Sequence, residues 1–244
     1  IKGNILNGAS VRADRGFFRS SDQTIIWSRE NNAEFGSVAP GASATLPFSF
    51  STIPLGQGSF RNPEISFSVD VKARRLTETS VPEIVRSTTK SIALVQSDVP
   101  LSAFITRSTT DQGPIPPLVN TATEYTVSWH ANNSTNAIAN TSVSATLPSY
   151  ITWTGVASPG VTYNPVGGTV TWNAGDFSEN QSKTATFQIS FSPSISQRGT
   201  VPNLVLDQRL TAYDRFTRTT ISGTAPTLNT ASYKGGEGSG VVAE

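Results

Sequence analysis

Few side chains in this chain could do chemistry. The single histidine, His130, follows an alternating run, Tyr125-Thr126-Val127-Ser128-Trp129. A two-residue period puts Tyr125, Val127 and Trp129 on one face and Thr126, Ser128 and His130 on the other, toward water. A nucleophilic triad needs a base oriented by a buried carboxylate, and a metal site usually recruits several His or Cys. The chain has one His and no Cys. Thiolate chemistry, disulfides and Cys-ligated metals therefore drop out together. Calcium would need clustered oxygen ligands. Asn132, Asn133, Asn136 and Asn140 share one turn region but carry no charge, and Asp207 and Asp214 stand at odd spacing, on opposite faces of one strand. These residues read as turn formers bonding their own backbone. No catalytic residue, metal or cofactor is expected.

Two groupings remain. Lys183 is in phase with Ala185, Phe187 and Ile189, the inward positions of another alternating run, and a lone buried ammonium is costly. It could snorkel to water from the start of the strand, or join an asparagine in an intramolecular isopeptide bond. Trp153, with Tyr150 and Tyr163, is the candidate aromatic binding edge. The other tryptophans, Trp27, Trp129 and Trp172, fall in strands at the phase of a sandwich core.

The elements that must position these groups are strands. Leu46, Phe48 and Phe50 alternate with polar residues or proline, as do Ile65, Phe67, Val69, Val71 and Ala73. One dry face and one wet face mean antiparallel strands in a sandwich. Asn-, Gly- and Pro-rich turns separate them, such as Gly56-Gln57-Gly58 and Gly167-Gly168, and no helix longer than two turns is expected. Hydrophobic residues make up 36% of the 244, with 12 Phe and 4 Trp, enough to bury a core.

Charge excludes other classes. Lys and Arg total 18 against 17 Asp and Glu; residues 1–100 hold 11 basic and 9 acidic side chains, and residues 101–244 hold 7 and 8. Neither half is a polycation, so no nucleic-acid partner is expected. No apolar run approaches the ~20 residues of a membrane span, so direct membrane insertion is not expected either. With no Met in the chain, Ile1 is not a translation start. The chain is expected to be a processed product or a fragment.

A doubled pattern organises the whole. Ile25-Ile26-Trp27-Ser28, a polar loop, Gly41 to Phe50 and Ile53-Pro54 form one block. Val170-Thr171-Trp172-Asn173, a polar loop, Gln181 to Phe191 and Ser192-Pro193 form the second. A strand pair follows each, 64–75 with 83–95 and 203–213 with 216–223. About seventy residues precede Trp172 within its unit, but only twenty-six precede Trp27. The reading is residues 1–98 as the later part of an immunoglobulin-like sandwich, 99–225 as a complete one, and 226–244 as a flexible Gly-rich tail. The first unit would lack its first two or three strands, which the upstream region of the same polypeptide or a neighbouring identical subunit would supply.

The second unit runs Glu124-Tyr125-Thr126-Val127-Ser128-Trp129, Asn132-Asn133-Ser134, Leu147-Pro148-Ser149-Tyr150-Ile151-Thr152-Trp153 and Gly168-Thr169-Val170-Thr171-Trp172. This resembles the domain-of-unknown-function-eleven repeat of bacterial surface proteins over about residues 101–225; the first unit resembles only the later half of that repeat. Gly113-Pro114-Ile115-Pro116-Pro117 and Phe187 to Ser194 also resemble large membrane-anchored surface proteins of small-genome bacteria. The resemblance implies tandem immunoglobulin-like sandwiches, exported to the cell surface, serving as stalk, filament or coat, with no activity. The alternative is an adhesin recognising a host or cell-surface glycan or protein through loops 30–41, 131–138 and 155–168.

Overall fold

The computed structural model describes residues 1–74, 84–233, 235 and 240–244. The chain is all-β, with only single 3-10 turns as helix among these residues. It divides into two compact units, Ile1–Val95 and Gln96–Glu244.

Unit 1 contains β1 (Lys2–Gly3), β2 (Leu6–Ala13), β3 (Phe17–Arg19), β4 (Thr24–Ile26), β5 (Phe48–Thr52), β6 (Glu64–Arg74) and β7 (Ile84–Leu94). Unit 2 contains β8 (Leu101–Thr106), β9 (Thr123–Asn132), β10 (Ile138–Thr146), β11 (Ile151–Ala157), β12 (Val161–Asn164) and β13 (Thr169–Phe177). It continues with β14 (Ser182–Phe191), β15 (Asn203–Asp214), β16 (Thr219–Thr224) and β17 (Leu228–Asn229).

Unit 2 is a closed two-sheet sandwich. One sheet has the order β11-β14-β9-β8, the other β12-β13-β10-β15-β16, with β17 also on β15. With β8 as strand A, the first is the D-E-B-A order of an immunoglobulin sandwich and β10-β15-β16 its C-F-G. Alternation decides the interior. The register sets Trp129 opposite Ala185, Val127 opposite Phe187 and Tyr125 opposite Ile189, and all six are buried. Val143, Val170, Trp172, Leu210 and Ile221 face them from the second sheet. The Trp129 indole meets Phe187 edge-on at 4.9 Å, and its N–H donates to Gln208 Oε1 at 2.7 Å. That bond satisfies the one polar atom the indole carries into the core.

The C-terminal segment departs from the expected flexible tail. Leu228, Thr230 and Val242 are buried. Ala243 N–H donates to Pro117 O at 2.9 Å while Val119 N–H donates to Ala243 O at 3.0 Å. Val242 and residues 199–200 exchange two further backbone bonds, Val242 N–H to Thr200 O and Gly199 N–H to Val242 O, each 3.0 Å. The Gly-rich composition hid this, because the fixing comes from Leu228 and Val242 at its two ends. Lys234 and residues 236–239, most of the Gly-rich run, lie outside the described residues.

Unit 1 repeats part of this pairing. β2 pairs β5, β3 pairs β4, β1 pairs β6 and β6 pairs β7, all antiparallel. Unit 2 pairs β11 with β14, β12 with β13, β10 with β15 and β15 with β16, again all antiparallel. The four pairings correspond one to one in chain order, β1 to β7 against β10 to β16. Among the described residues, unit 1 has no counterpart of β8 or β9, and β1 covers only two residues of the position that nine-residue β10 occupies.

The consequence is an open interior. Ile5, Leu6, Val11 and Ile65 are buried, but Phe48 is 41% exposed, Val69 57% and Val71 54%. Trp27, expected in a strand and in a core, stands just past β4 and is half-buried. Its N–H donates to Asp14 O at 3.0 Å, and its ring meets Phe48, which stacks with Phe50. Phe48 and Phe50 also meet Phe67 of β6, but without a counterpart of β9 among the described residues these rings do not reach the burial of Trp172. Residues 75–83, part of the expected strand pair, lie outside the described residues.

Candidate functional site

His130 is exposed on β9, opposite Thr184 and Ser102. Neither cross-strand partner is a carboxylate. A surface depression of about 400 Å³ lies where β1 meets β6, lined by Lys2, Gly3, Asn4, Asn62, Glu64 and Ser66. Lys2 and Glu64 are its only ionisable side chains.

Lys183, second residue of β14, is half-buried. Its ammonium donates to Ala174 O and Asp176 O, both at 2.8 Å, and sits 4.7 Å from the centre of the Phe177 ring. Two carbonyls and a ring face accommodate the charge without covalent chemistry. Both acceptors are main-chain oxygens, whereas an isopeptide needs a side-chain amide carbon beside the amine. An intact-mass measurement is expected to give the full sequence mass. Loss of one ammonia would establish the bond.

The aromatic candidates separate into two places. Trp153 on β11 and Tyr163 on β12 stack at 5.3 Å and 14°. Trp153 also stacks on Phe187 at 5.6 Å. The pair bridges the two sheets at the sandwich edge and packs against the core. Tyr150 stands apart from the pair; its ring meets Phe191 at 5.7 Å and its hydroxyl donates to Asn203 O at 2.9 Å.

One polar cluster escaped sequence reasoning. Asp214, at the end of β15, is fully buried. Its Oδ2 accepts from Ser97 N–H at 2.8 Å and from Asn136 Nδ2 at 2.7 Å. Its Oδ1 accepts from Phe216 N–H at 2.8 Å and Thr217 N–H at 3.0 Å. Burial pushes the carboxyl up, but bonds from Ser97, Asn136, Thr217 and Phe216 together outweigh it and hold the carboxyl below its usual 3.8. Ser97 Oγ in turn accepts from Asn136 N–H at 2.7 Å, and Asn133 Nδ2 donates to Asn136 O at 2.7 Å. The cluster ties the start of unit 2, the β9–β10 connection and the β15–β16 turn together. The only sequence signal was the Asn-rich turn. Its partner lay 78 residues away.

Asp111 plays a similar part in the loop after β8. Its carboxylate accepts from Gln188 Nε2 at 2.7 Å, Thr126 Oγ1 at 2.9 Å and Ser108 N–H at 2.8 Å. Desolvation pushes it up, and these bonds bring it below the usual value. In both cases the carboxylate is spent on holding backbone and loops.

No family model matches this chain, and no curated protein does. The repeat-family resemblance therefore rests on the motifs quoted above. Among solved structures, the full-length major pilin SpaD from Corynebacterium diphtheriae superposes with a TM-score of 0.36 at 11% identity. The match covers 75% of this chain and 44% of the pilin, so this chain spans less than half the length of the structure it matches.

Proposed function

We propose that this chain is a non-enzymatic structural segment of an exported cell-surface protein, a stalk, filament or surface-layer component built from tandem sandwich units. The observation that carries the reading is what the polar side chains are used for. Asp111, Asp214 and Lys183 each hold backbone or loop groups, and the one histidine is exposed without a carboxylate opposite it. What the molecule offers outward is a rigid sandwich in unit 2 and unpaired apolar strand surface in unit 1. Rigid units joined end to end transmit length, and an open strand edge accepts a strand from another polypeptide segment. No helix of the described residues is long and apolar enough to cross a membrane.

Purified chain examined by negative-stain microscopy and sedimentation over a concentration series is expected to form elongated, regular assemblies. Monomers at every concentration would overturn the reading. A second reading, recognition by an adhesin, is favoured by one observation: Val156 and Val166, flanking the Trp153–Tyr163 pair, are 63% and 96% exposed. Saturable glycan or protein binding that Tyr163→Ala abolishes would establish it.

A further inference from the structure

The one-to-one correspondence of strand pairings defines what unit 1 lacks. In unit 2, β10 lies between β13 and β15 and pairs with both. Among the described residues of unit 1 no strand joins the equivalents, β4 and β6: β4 pairs only with β3, and on the side away from β7, β6 pairs only with the two residues of β1, Lys2 with Ser66 and Gly3 with Ile65. Beyond Ser66, β6 pairs only with β7 among the described residues. In unit 2, β14 pairs with β9 on the side away from β11. Its equivalent, β5, pairs only with β2 among the described residues.

The exposed side chains mark the same positions. Ile65, Phe67, Val69 and Val71 share one face of β6 by alternation. Ile65, nearest β1, is 3% exposed, while Val69 and Val71, farther along, exceed 50%. Phe48 and Phe50 on β5 stack beside Phe67. The uncovered face carries no charge among these residues, so its complement must be apolar at alternate positions. In unit 2 that complement is Tyr125, Val127, Trp129 and Ala131 of β9, with Ile138, Val143 and Ala145 of β10, all buried.

We propose that unit 1 is a receptor for an extended polypeptide segment with the chemistry of the β9–β10 pair. One strand runs antiparallel between β4 and β6 on the line of β1, and the other runs antiparallel to β5. This rests on the structural reading above and names its partner. The occupant is a partner polypeptide segment of that chemistry, not a second copy of these residues. The strands of this chain with the right pattern are already buried in unit 2. Strand addition of this kind takes its affinity from backbone pairing and its register from alternate side chains seated in the core.

The test uses the full chain and a fluorescently labelled synthetic peptide of residues 123–146, read by anisotropy. Saturable binding is expected. Val127→Glu in the peptide is expected to weaken it at least about tenfold, since a charge would enter an apolar interior. Val71→Asp in the chain is expected to do the same. Val71 is exposed, so this variant keeps its fold, and an unchanged melting profile of the full chain, unit 1 included, verifies that. Absence of binding, or binding that neither substitution weakens, overturns the proposal. Peptide-free dimers lost in Val71→Asp would assign the surface to a second copy and overturn it too. Regular assemblies without peptide binding would sink this inference alone, and peptide binding without assemblies would sink the scaffold reading alone.

Discussion

Trp129→Ala is expected to destabilise unit 2 by about 4 kcal/mol, the range for deleting a fully buried large aromatic side chain. The indole is completely buried and packs edge-on against Phe187. Its loss leaves a cavity in the layer between the sheets, which β9 cannot close because β8 and β14 hold it in register. Gln208 Oε1 also loses its donor, inside a residue only 2% exposed. For a unit of this size the shift in melting temperature is expected to be roughly 8–16 °C. Trp129→Phe keeps most of the volume and separates the two contributions. It is expected to cost about 2 kcal/mol, from the orphaned amide and the smaller ring. Differential scanning calorimetry of the full chain measures both, since unit 1 does not share this core.

Asp214→Ala has the second largest expected effect, about 3 kcal/mol. Removing the carboxylate leaves the N–H groups of Ser97, Phe216 and Thr217 and the Asn136 amide without their acceptor. Asp214→Asn keeps one acceptor oxygen and is expected to recover part of the loss. The same residue sets an acid limit. Its folded carboxyl lies below the ordinary 3.8, so its contribution is fully present above that value and is lost as pH falls through the folded pKa. Asp111 acts in the same direction. Unit 2 is expected to lose stability below about pH 4, and Asp214→Ala is expected to flatten that loss. Urea midpoints measured from pH 7 down to pH 2 give the comparison. A wild-type acid loss that persists unchanged in Asp214→Ala would contradict the assignment.

Much of the fold was legible because alternation is a local property. Tyr125-Thr126-Val127-Ser128-Trp129 states its own buried face, and β9 buries Tyr125, Val127 and Trp129 as that pattern requires. The doubled blocks around Trp27 and Trp172 were visible as well, and the strand pairings of the two units correspond around them. Three features were not legible. Burial of Trp27 depends on which strands distant in sequence pack over it, and no local pattern reveals that. The Asp214 cluster joins residues far apart in the chain whose types, Ser, Thr, Asn and Asp, are equally at home in exposed turns. The C-terminal segment reads as a linker by composition, while two apolar residues at its ends, Leu228 and Val242, decide where it lies. Among the candidate side chains, the stacking of Trp153 on Tyr163 follows from β11 and β12 being neighbours at the sandwich edge. The placement of Tyr150 near Asn203 does not follow from any spacing.

The scaffold reading and the strand-receptor proposal share one structural claim: two units with corresponding strand pairings, one closed and one open along strand positions that the other fills. Hydrogen exchange of the full chain, read peptide by peptide, tests it most directly. The account predicts slow exchange throughout β9, β10, β13 and β14, opening only with global unfolding of unit 2. It predicts exchange at least about a hundredfold faster in β5 and in β6 beyond Ser66, where one side of each strand faces no partner among the described residues. Equally slow exchange in β5, β6 and β14 would show the first interior to be closed, and would contradict the account.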